Sequence, residues 1–152
     1  MTAINHAITG SIIGLTISNP FIAVPLAFIS HYLLDIIPHF GSKQDNDKFI
    51  KSKKFKIFLS IDILLCIILA VSLFIIKPTS YLIVILCAFI ATTPDLVNLK
   101  RFILINLNKE YKPGLLYKMS AFIQWFERPI GLNVEIAWFL ASGFILIELL
   151  LK

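Results

Sequence analysis

A histidine and an aspartate lie one helical turn apart in the segment 30–39. His31 and Asp35 have the i, i+4 spacing that places both side chains on one face of a helix. An imidazole nitrogen and a carboxylate oxygen together suit zinc, and also iron or manganese. The spacing therefore predicts either a metal site or a hydrogen-bonded His–Asp pair that joins this helix to its neighbours.

Three further residues favour the metal interpretation. His6 lies near the start of the first apolar segment, His39 begins a loop, and Asp95 ends the fourth apolar segment. We predict His6, His31, Asp35 and Asp95 as ligands of a divalent metal ion, with zinc favoured over iron or manganese. Asp95 is also a candidate base that activates water, and His39 a candidate further ligand or proton shuttle. An ordinary helix-end turn is the alternative for Asp95.

Two acids inside other apolar segments have competing interpretations. Asp62 is either an outer-shell group that orients an imidazole or the partner of Lys54 or Lys56. Glu135 lies close to a helix start, where the helix dipole favours an acid. Neither residue is therefore counted among the predicted metal ligands.

The composition places these residues in a membrane protein. Of 152 residues, 58% are hydrophobic and 15% are charged, and the mean hydropathy is +0.87. A soluble domain carries about 25% charged residues. The formal net charge of +5 comes from basic residues in the gaps between apolar runs, which argues against a nucleic-acid partner. Cys66 and Cys87 lie inside apolar runs and predict neither a disulfide nor a thiolate zinc site.

The apolar runs predict an all-α integral membrane bundle of four or five helices, formed by residues 1–152 as a single domain. A helix needs about 20 apolar residues to span the hydrocarbon core. Residues 57–76 and 134–151 meet this length, and 81–97 is slightly shorter. Residues 3–17 and 20–37 predict two short helices, joined where Asn19 suits an N-cap and Pro20 the first helical position. They either cross fully or form a hairpin that dips into the membrane and returns.

Basic residues predict the orientation of the bundle. Six of the fourteen Lys and Arg lie in 41–56 and six in 98–131. Both segments should therefore be cytoplasmic, with the N-terminus inside, in a multi-pass protein. The amphipathic segment 98–131 predicts short interfacial helices, in which Glu127 and Arg128 make ion contacts.

This topology brings the candidate residues to one depth. Ionisable groups from separate apolar segments all fall near the cytoplasmic ends of their helices, and only Glu148 lies near the outer end. Charged groups within apolar helices are costly, so their convergence indicates a functional site. Gly10 and Gly14 form a G-x-x-x-G pair, which predicts close approach of another helix.

Two blocks of this sequence resemble the membrane-bound metal-dependent hydrolase family of bacteria and archaea. The first runs from Asn5 to Gly10, and the second contains Ser30, His31 and Asp35 in a pattern similar to the family's G-x-x-S-H-x-x-x-D segment. Thr93-Pro94-Asp95 is a weaker match to the family's P-D-x-D-H turn. The resemblance implies metal binding in a prokaryotic inner membrane.

The resemblance covers roughly residues 4–41 and 88–98 and has two departures. Val97 and Asn98 stand where the P-D-x-D-H turn places Asp and His. The family's histidine-rich block, which includes T-H-S, has no counterpart. The resemblance therefore supports metal binding more than it supports any particular reaction.

The sequence as a whole predicts a metal-dependent hydrolase with a cytoplasm-facing His/Asp site. No nucleophile elbow, P-loop, dinucleotide fingerprint or H-E-x-x-H motif is present, so metal-activated water is the chemistry that the residues can support. Headgroup depth favours membrane lipid as a partner and a lipid or lipid-linked ester or phosphoester as substrate. The alternative is a non-enzymatic membrane protein, in which the His and Asp residues form a buried structural network or a structural metal site and the basic loops bind anionic lipid or a partner. The sequence does not indicate an oligomeric state.

Overall fold

The computed structural model describes residues 1–40, 47–115, 117–118, 122 and 131–152. This part of the chain is helical and contains no strand, as the sequence predicts. We number its helices α1 to α7: Ala3–Thr16, Pro20–Ile36, Asp47–Lys51, Lys53–Ile76, Tyr81–Thr92, Asp95–Asn106 and Gly131–Leu150. Glu127 and Arg128, with their predicted ion contacts, lie outside the described residues.

Two helices are long and apolar enough to cross a membrane. They are α4, with 24 residues and a mean hydropathy of 2.9, and α7, with 20 residues and a mean hydropathy of 1.6. Both expose large apolar side chains, including Ile75 at 73% and Phe144 at 65%. Among the described helices, length and hydropathy thus allow a membrane span for these two, and the bundle of four or five membrane helices stays a prediction.

The predicted helix over 81–97 is wrong at its end. Helix α5 stops at Thr92, and α6 starts at Asp95. Pro94 has no backbone N–H and so cannot continue the hydrogen-bond ladder of α5. Helix α6 also begins before residue 98, where the interfacial segment was expected to start. Asp95 is therefore the first residue of a new helix rather than part of the preceding one.

The turn between α1 and α2 forms as the sequence predicts. The Asn19 side chain accepts a hydrogen bond from the backbone N–H of Phe21 at 3.0 Å, and Pro20 occupies the first helical position. At 1.5 Å per residue, α1 is about 21 Å long and α2 about 26 Å, both less than a ~30 Å hydrocarbon core.

Helix α1 lies at the centre and contacts α2, α4, α5 and α7. Gly10 and Gly14 face α5, where a Cβ on Gly10 would lie 2.4 Å from the carbonyl oxygen of Cys87. Close helix packing, the predicted role of the G-x-x-x-G pair, is therefore confirmed. Small side chains also separate α2 from α5: the fully buried residues of this interface are Ala23, Ala27, Cys87 and Ala91. Such interfaces let helix backbones approach closely.

The polar residues gather at one end of this packing. Helix α1 begins there, α2 and α5 end there, and α6 and α7 begin there, because consecutive long helices run in opposite directions. Beyond this end, aromatic rings of α3, α4 and α6 pack together with the ring of Phe40, which follows His39. The rings from the three helices are those of Phe49, Phe55, Phe58 and Phe102. The helices thus supply several polar side chains to a region that is bounded by apolar ones.

Candidate metal centre

Three predicted ligands come together at this end of the helices. One ligand atom from each of His6, His31 and Asp95 lies within 4.8 Å of the other two. We call these three residues the ligand group. Both histidines are fully buried, whereas the Asp95 side chain is 28% exposed. Asp95 therefore forms the open edge of the group.

The separations are somewhat wider than one bound ion requires. The Nε2 atom of His31 lies 4.0 Å from Oδ1 of Asp95. Zinc binds nitrogen and carboxylate oxygen tetrahedrally at about 2.0–2.2 Å, so two ligand atoms of one ion lie about 3.3–3.6 Å apart. The His31–Asp95 pair must therefore close by about half an ångström. The widest separation that the group allows, 4.8 Å, requires a closing of about 1.2 Å, which a change of side-chain rotamer can supply.

Asp35 lies beside the ligand group and contacts both imidazoles. Its Oδ1 is 3.2 Å from Nε2 of His6, and its Oδ2 is 3.3 Å from Nε2 of His31. The imidazole rings stack with centroids 4.0 Å apart. The α-amino group of Met1 also contacts Asp35. The predicted i, i+4 pairing of His31 with Asp35 is therefore present, while the role of Asp35 as a metal ligand stays a prediction.

Several nitrogens of the two histidines lack hydrogen bonds. Among the described residues, neither nitrogen of His6 and not Nε2 of His31 has a partner with hydrogen-bond geometry. Buried polar atoms normally have partners, and a site for an ion or a water is a usual explanation for exceptions. Nitrogen lone pairs beside a carboxylate form a donor set that suits zinc. The residues present thus fit a divalent metal ion.

The tautomer of His31 is held by helix α5. Its Nδ1 lies 2.8 Å from the carbonyl oxygen of Ala91. Ala91 is in the last turn of α5, where backbone carbonyls have no partner within the helix. Since Nδ1–H donates to this oxygen, Nε2 keeps its lone pair for a metal. Metal-binding histidines commonly have such an outer hydrogen bond.

Asp95 is partly buried, and this burial changes the proton affinity of its carboxyl group. Desolvation raises the pKa of Asp95 from 3.8 to about 6, against the opposing effect of nearby His31. The carboxyl group is therefore ionised at neutral pH and becomes protonated only in mildly acidic solution.

His39 lies outside the ligand group in the described structure. Its Nδ1 donates a hydrogen bond to the carbonyl oxygen of Ile37 at 2.8 Å, and its side chain is buried. The backbone of His39 packs closely on Gly131. A Cβ added to Gly131 would lie 2.1 Å from the carbonyl carbon of His39. The expected roles of His39 as a further ligand or proton shuttle stay predictions.

The structure gives Asp62 and Glu135 partners that sequence reasoning missed. Asp62 accepts hydrogen bonds from the backbone N–H groups of Ala3 and Ile4 at the start of α1. The expected partners were an imidazole, or the side chain of Lys54 or Lys56. Glu135 accepts from the backbone N–H of Phe40 at 3.2 Å, and its own carbonyl accepts from the Asn5 side chain at 3.2 Å. The only signal in the sequence was an acid inside an apolar run.

Comparisons of this chain with protein-family models, with curated proteins and with solved structures found no match. The functional proposal therefore depends on the geometry of the ligand group and on the residues around it.

Proposed function

We propose that this chain is a membrane-bound metal-dependent hydrolase whose ion is held by His6, His31 and Asp95. The observation that carries the proposal is the convergence of these residues from α1, α2 and α6 within 4.8 Å. The hydrogen bond from His31 to Ala91 supports it, because it leaves Nε2 free to coordinate. Asp35 is the further ligand expected from the sequence.

A bound divalent ion, with zinc favoured, would supply Lewis-acid activation of water and of a substrate carbonyl or phosphoryl oxygen. The protein's own residues set the conditions for this chemistry. Asp35 holds both imidazoles in place from one side, and buried Ala91 fixes the ring of His31. Asp95, at the open edge and ionised at neutral pH, is the residue placed to accept a proton from water.

A lipid or lipid-linked ester or phosphoester is the proposed substrate. Apolar side chains are exposed near the open edge: Leu96, next to Asp95, is 52% exposed, and Phe28, whose ring packs on Tyr32, is 43% exposed. Tyr32 in turn packs against the ring of His31. Acyl chains suit these apolar surfaces. We place the site on the cytoplasmic side of the membrane because the basic segments of the sequence lie at the same helix ends.

A structural polar network is the second candidate function. One observation favours it: Asp35 already contacts both imidazoles, so the carboxylate and the rings partly compensate one another without an ion. In that case the histidines would lock α1 against α2, and the basic segments would bind lipid or a partner.

Metal content distinguishes a metal centre from a metal-free polar network. The chain is purified in detergent without a histidine tag or chelator, and its metals are measured before and after incubation with Zn²⁺. We expect about one ion per chain, loss of that ion in His31→Ala, and retention in the control Glu148→Gln, which changes an exposed acid near the far end of α7. A folded wild-type protein that binds no Zn²⁺ would refute the metal centre and favour the structural network.

Hydrolysis itself is tested with headgroup phosphoesters and lipid esters in the presence and absence of chelator. We expect Asp35→Asn and His31→Ala to abolish turnover while the protein stays folded. Activity that survives complete removal of metal would rule out this mechanism.

A further inference from the structure

The first turn of α1 has a complete set of hydrogen-bond partners. The first backbone N–H groups of a helix have no acceptor within the helix. In α1, those of Asn5 and His6 donate to the backbone carbonyl of the N-cap residue Thr2, at 3.1 and 3.3 Å. Those of Ala3 and Ile4 donate at 2.9 Å each to separate oxygens of Asp62. Both oxygens of this carboxylate are therefore used by α1.

Asp62 acts as an N-cap that comes from another helix. Thr2, the N-cap residue of α1, makes no capping hydrogen bond with its side chain, and the first turn contains no acid. The carboxylate of Asp62 supplies both missing features, since it accepts from the free N–H groups and faces the positive end of the helix dipole. These contacts join residues 58 and 59 positions apart in the chain.

The position of Asp62 within α4 makes these contacts the main compensation for its burial. It is the only charged residue in 57–76, and its exposure is 8%. It lies nine residues after the start of α4, about 14 Å along the helix axis. An ionised aspartate within a membrane helix is costly unless other groups compensate its charge. Two charge-assisted hydrogen bonds and a helix dipole offset that cost.

The cap determines where His6 lies. His6 is in the first turn of α1, three residues after Ala3, so an anchor at the helix start fixes its depth and direction. Its ring must meet two partners at once, because it stacks on His31 and contacts Asp35 at 3.2 Å. A rotation or sliding of α1 by a fraction of a turn would break both contacts.

We propose that Asp62 is a positioning residue of the metal centre: through its bonds to the start of α1, it holds the His6 imidazole against His31 and Asp35. This inference rests on the proposed metal centre. Asp62 touches neither imidazole in this arrangement, and it acts through the backbone of α1. Helix α4, one of the two helices long enough to span a membrane, thereby sets the register of the central helix.

Asp62→Asn tests the inference with the detergent-purified full chain. Asparagine keeps the shape of the side chain, but it replaces one acceptor oxygen with an NH2 group, which donates hydrogen bonds and cannot accept them. Co²⁺ serves as the probe, because its visible spectrum reports the arrangement of its ligands. We expect Co²⁺ affinity to fall tenfold or more, as outer-shell substitutions commonly cause, with a changed spectrum. Glu148→Gln is the matched control, since it removes an exposed acid from another long apolar helix and should leave both unchanged.

A double variant separates positioning from simple helix capping. Thr2→Asn combined with Asp62→Ala gives α1 a side-chain N-cap of its own and removes both bonds to α4. We expect it to recover thermal stability without recovering Co²⁺ affinity or the wild-type spectrum. Recovery of all three would show that Asp62 is only a cap and would overturn the inference.

The remaining outcomes distinguish this inference from the proposed function. Wild-type Co²⁺ affinity and spectrum in Asp62→Asn would refute the positioning role and leave the metal centre intact. A wild-type protein that binds no Co²⁺ would refute the metal centre, and the positioning role would fall with it.

Discussion

The Nδ1 atom of His31 lies 2.8 Å from the carbonyl oxygen of Ala91, which is sixty residues away in the chain. This contact links the end of α5 to a residue that the sequence marks as a metal ligand. It selects the tautomer in which Nε2 faces Asp35 and Asp95. Because α5 ends just before Pro94, the Ala91 carbonyl lies in its last turn and is available to His31.

Ala91→Leu should disturb this contact and weaken Zn²⁺ binding. Ala91 is fully buried between α2 and α5, so a larger side chain must displace the helix backbone. We expect a loss of about 1–3 kcal/mol in the free energy of unfolding and a lower affinity for Zn²⁺, measured by thermal unfolding and metal titration in detergent. Phe89→Leu, at a 57% exposed position of the same helix, is the control and should change neither. Unchanged affinity in folded Ala91→Leu would show that the carbonyl contact is dispensable.

Gly10→Ala should destabilise the packing of α1 on α5. The added Cβ would lie 2.4 Å from the carbonyl oxygen of Cys87 and 2.9 Å from the Cβ of Ala91, so the helices must move apart. Overpacking of this kind costs about 1–3 kcal/mol, which unfolding in detergent can measure.

Gly143→Ala is the matched control for this substitution. A Cβ at Gly143, also within a helix, would meet no atom within 4 Å. Since alanine favours helix over glycine by about 0.8–1.0 kcal/mol, we expect equal or greater stability. Similar losses from both substitutions would contradict the close approach of α1 and α5.

The contribution of Asp95 to the stability of the metal-free protein should fall as the pH rises from about 4 to 6. Burial raises the pKa of Asp95 from 3.8 to about 6, so between these values the folded state holds a proton that the unfolded state has released. The contribution is therefore fully present below the unfolded pKa and is lost as the pH passes the folded value. Because other buried groups titrate in the same range, the quantity to measure is the difference in stability between wild type and Asp95→Asn, by thermal unfolding with chelator. We expect this difference to become less favourable to wild type as the pH rises, and a difference that stays constant would show that Asp95 does not titrate in this range.

Cysteine labelling in intact bacteria should place the two ends of the helices on opposite sides. In a variant that lacks Cys66 and Cys87, Thr79→Cys and Lys112→Cys each add one thiol at an exposed position. Because the basic segments are expected inside, an impermeant maleimide should label position 79 and not position 112. The reverse labelling pattern would show the opposite orientation in the membrane, with the site on the outer face.

Much of the local structure can be predicted from the sequence. The turn at Asn19 and Pro20, the pairing of His31 with Asp35 and the tight contact made by Gly10 and Gly14 depend on residues close together in the chain. Helix periodicity fixes which of these side chains share a face. The long apolar helices α4 and α7 follow from composition alone, because length and hydropathy suffice to define them.

The sequence also predicts three members of the ligand group, although not their arrangement. Charge distribution along the chain assigned His6, His31 and Asp95 to one depth. It could not show that Asp95 would form the open edge, or that His39 would bond to Ile37 and lie outside the group. Those features depend on the rotation of each helix about its own axis.

Only the tertiary structure decided the partners of Asp62 and the acceptor for His31. An acid within an apolar helix must be compensated, which the sequence shows, but the compensating groups are backbone N–H groups 58 and 59 residues away. Backbone carbonyls and N–H groups occur at every position except for the missing N–H of proline, so residue types cannot identify which one is used. The choice is made by the register in which α1 packs between α4 and α5, and that register depends on side-chain contacts spread over the whole fold.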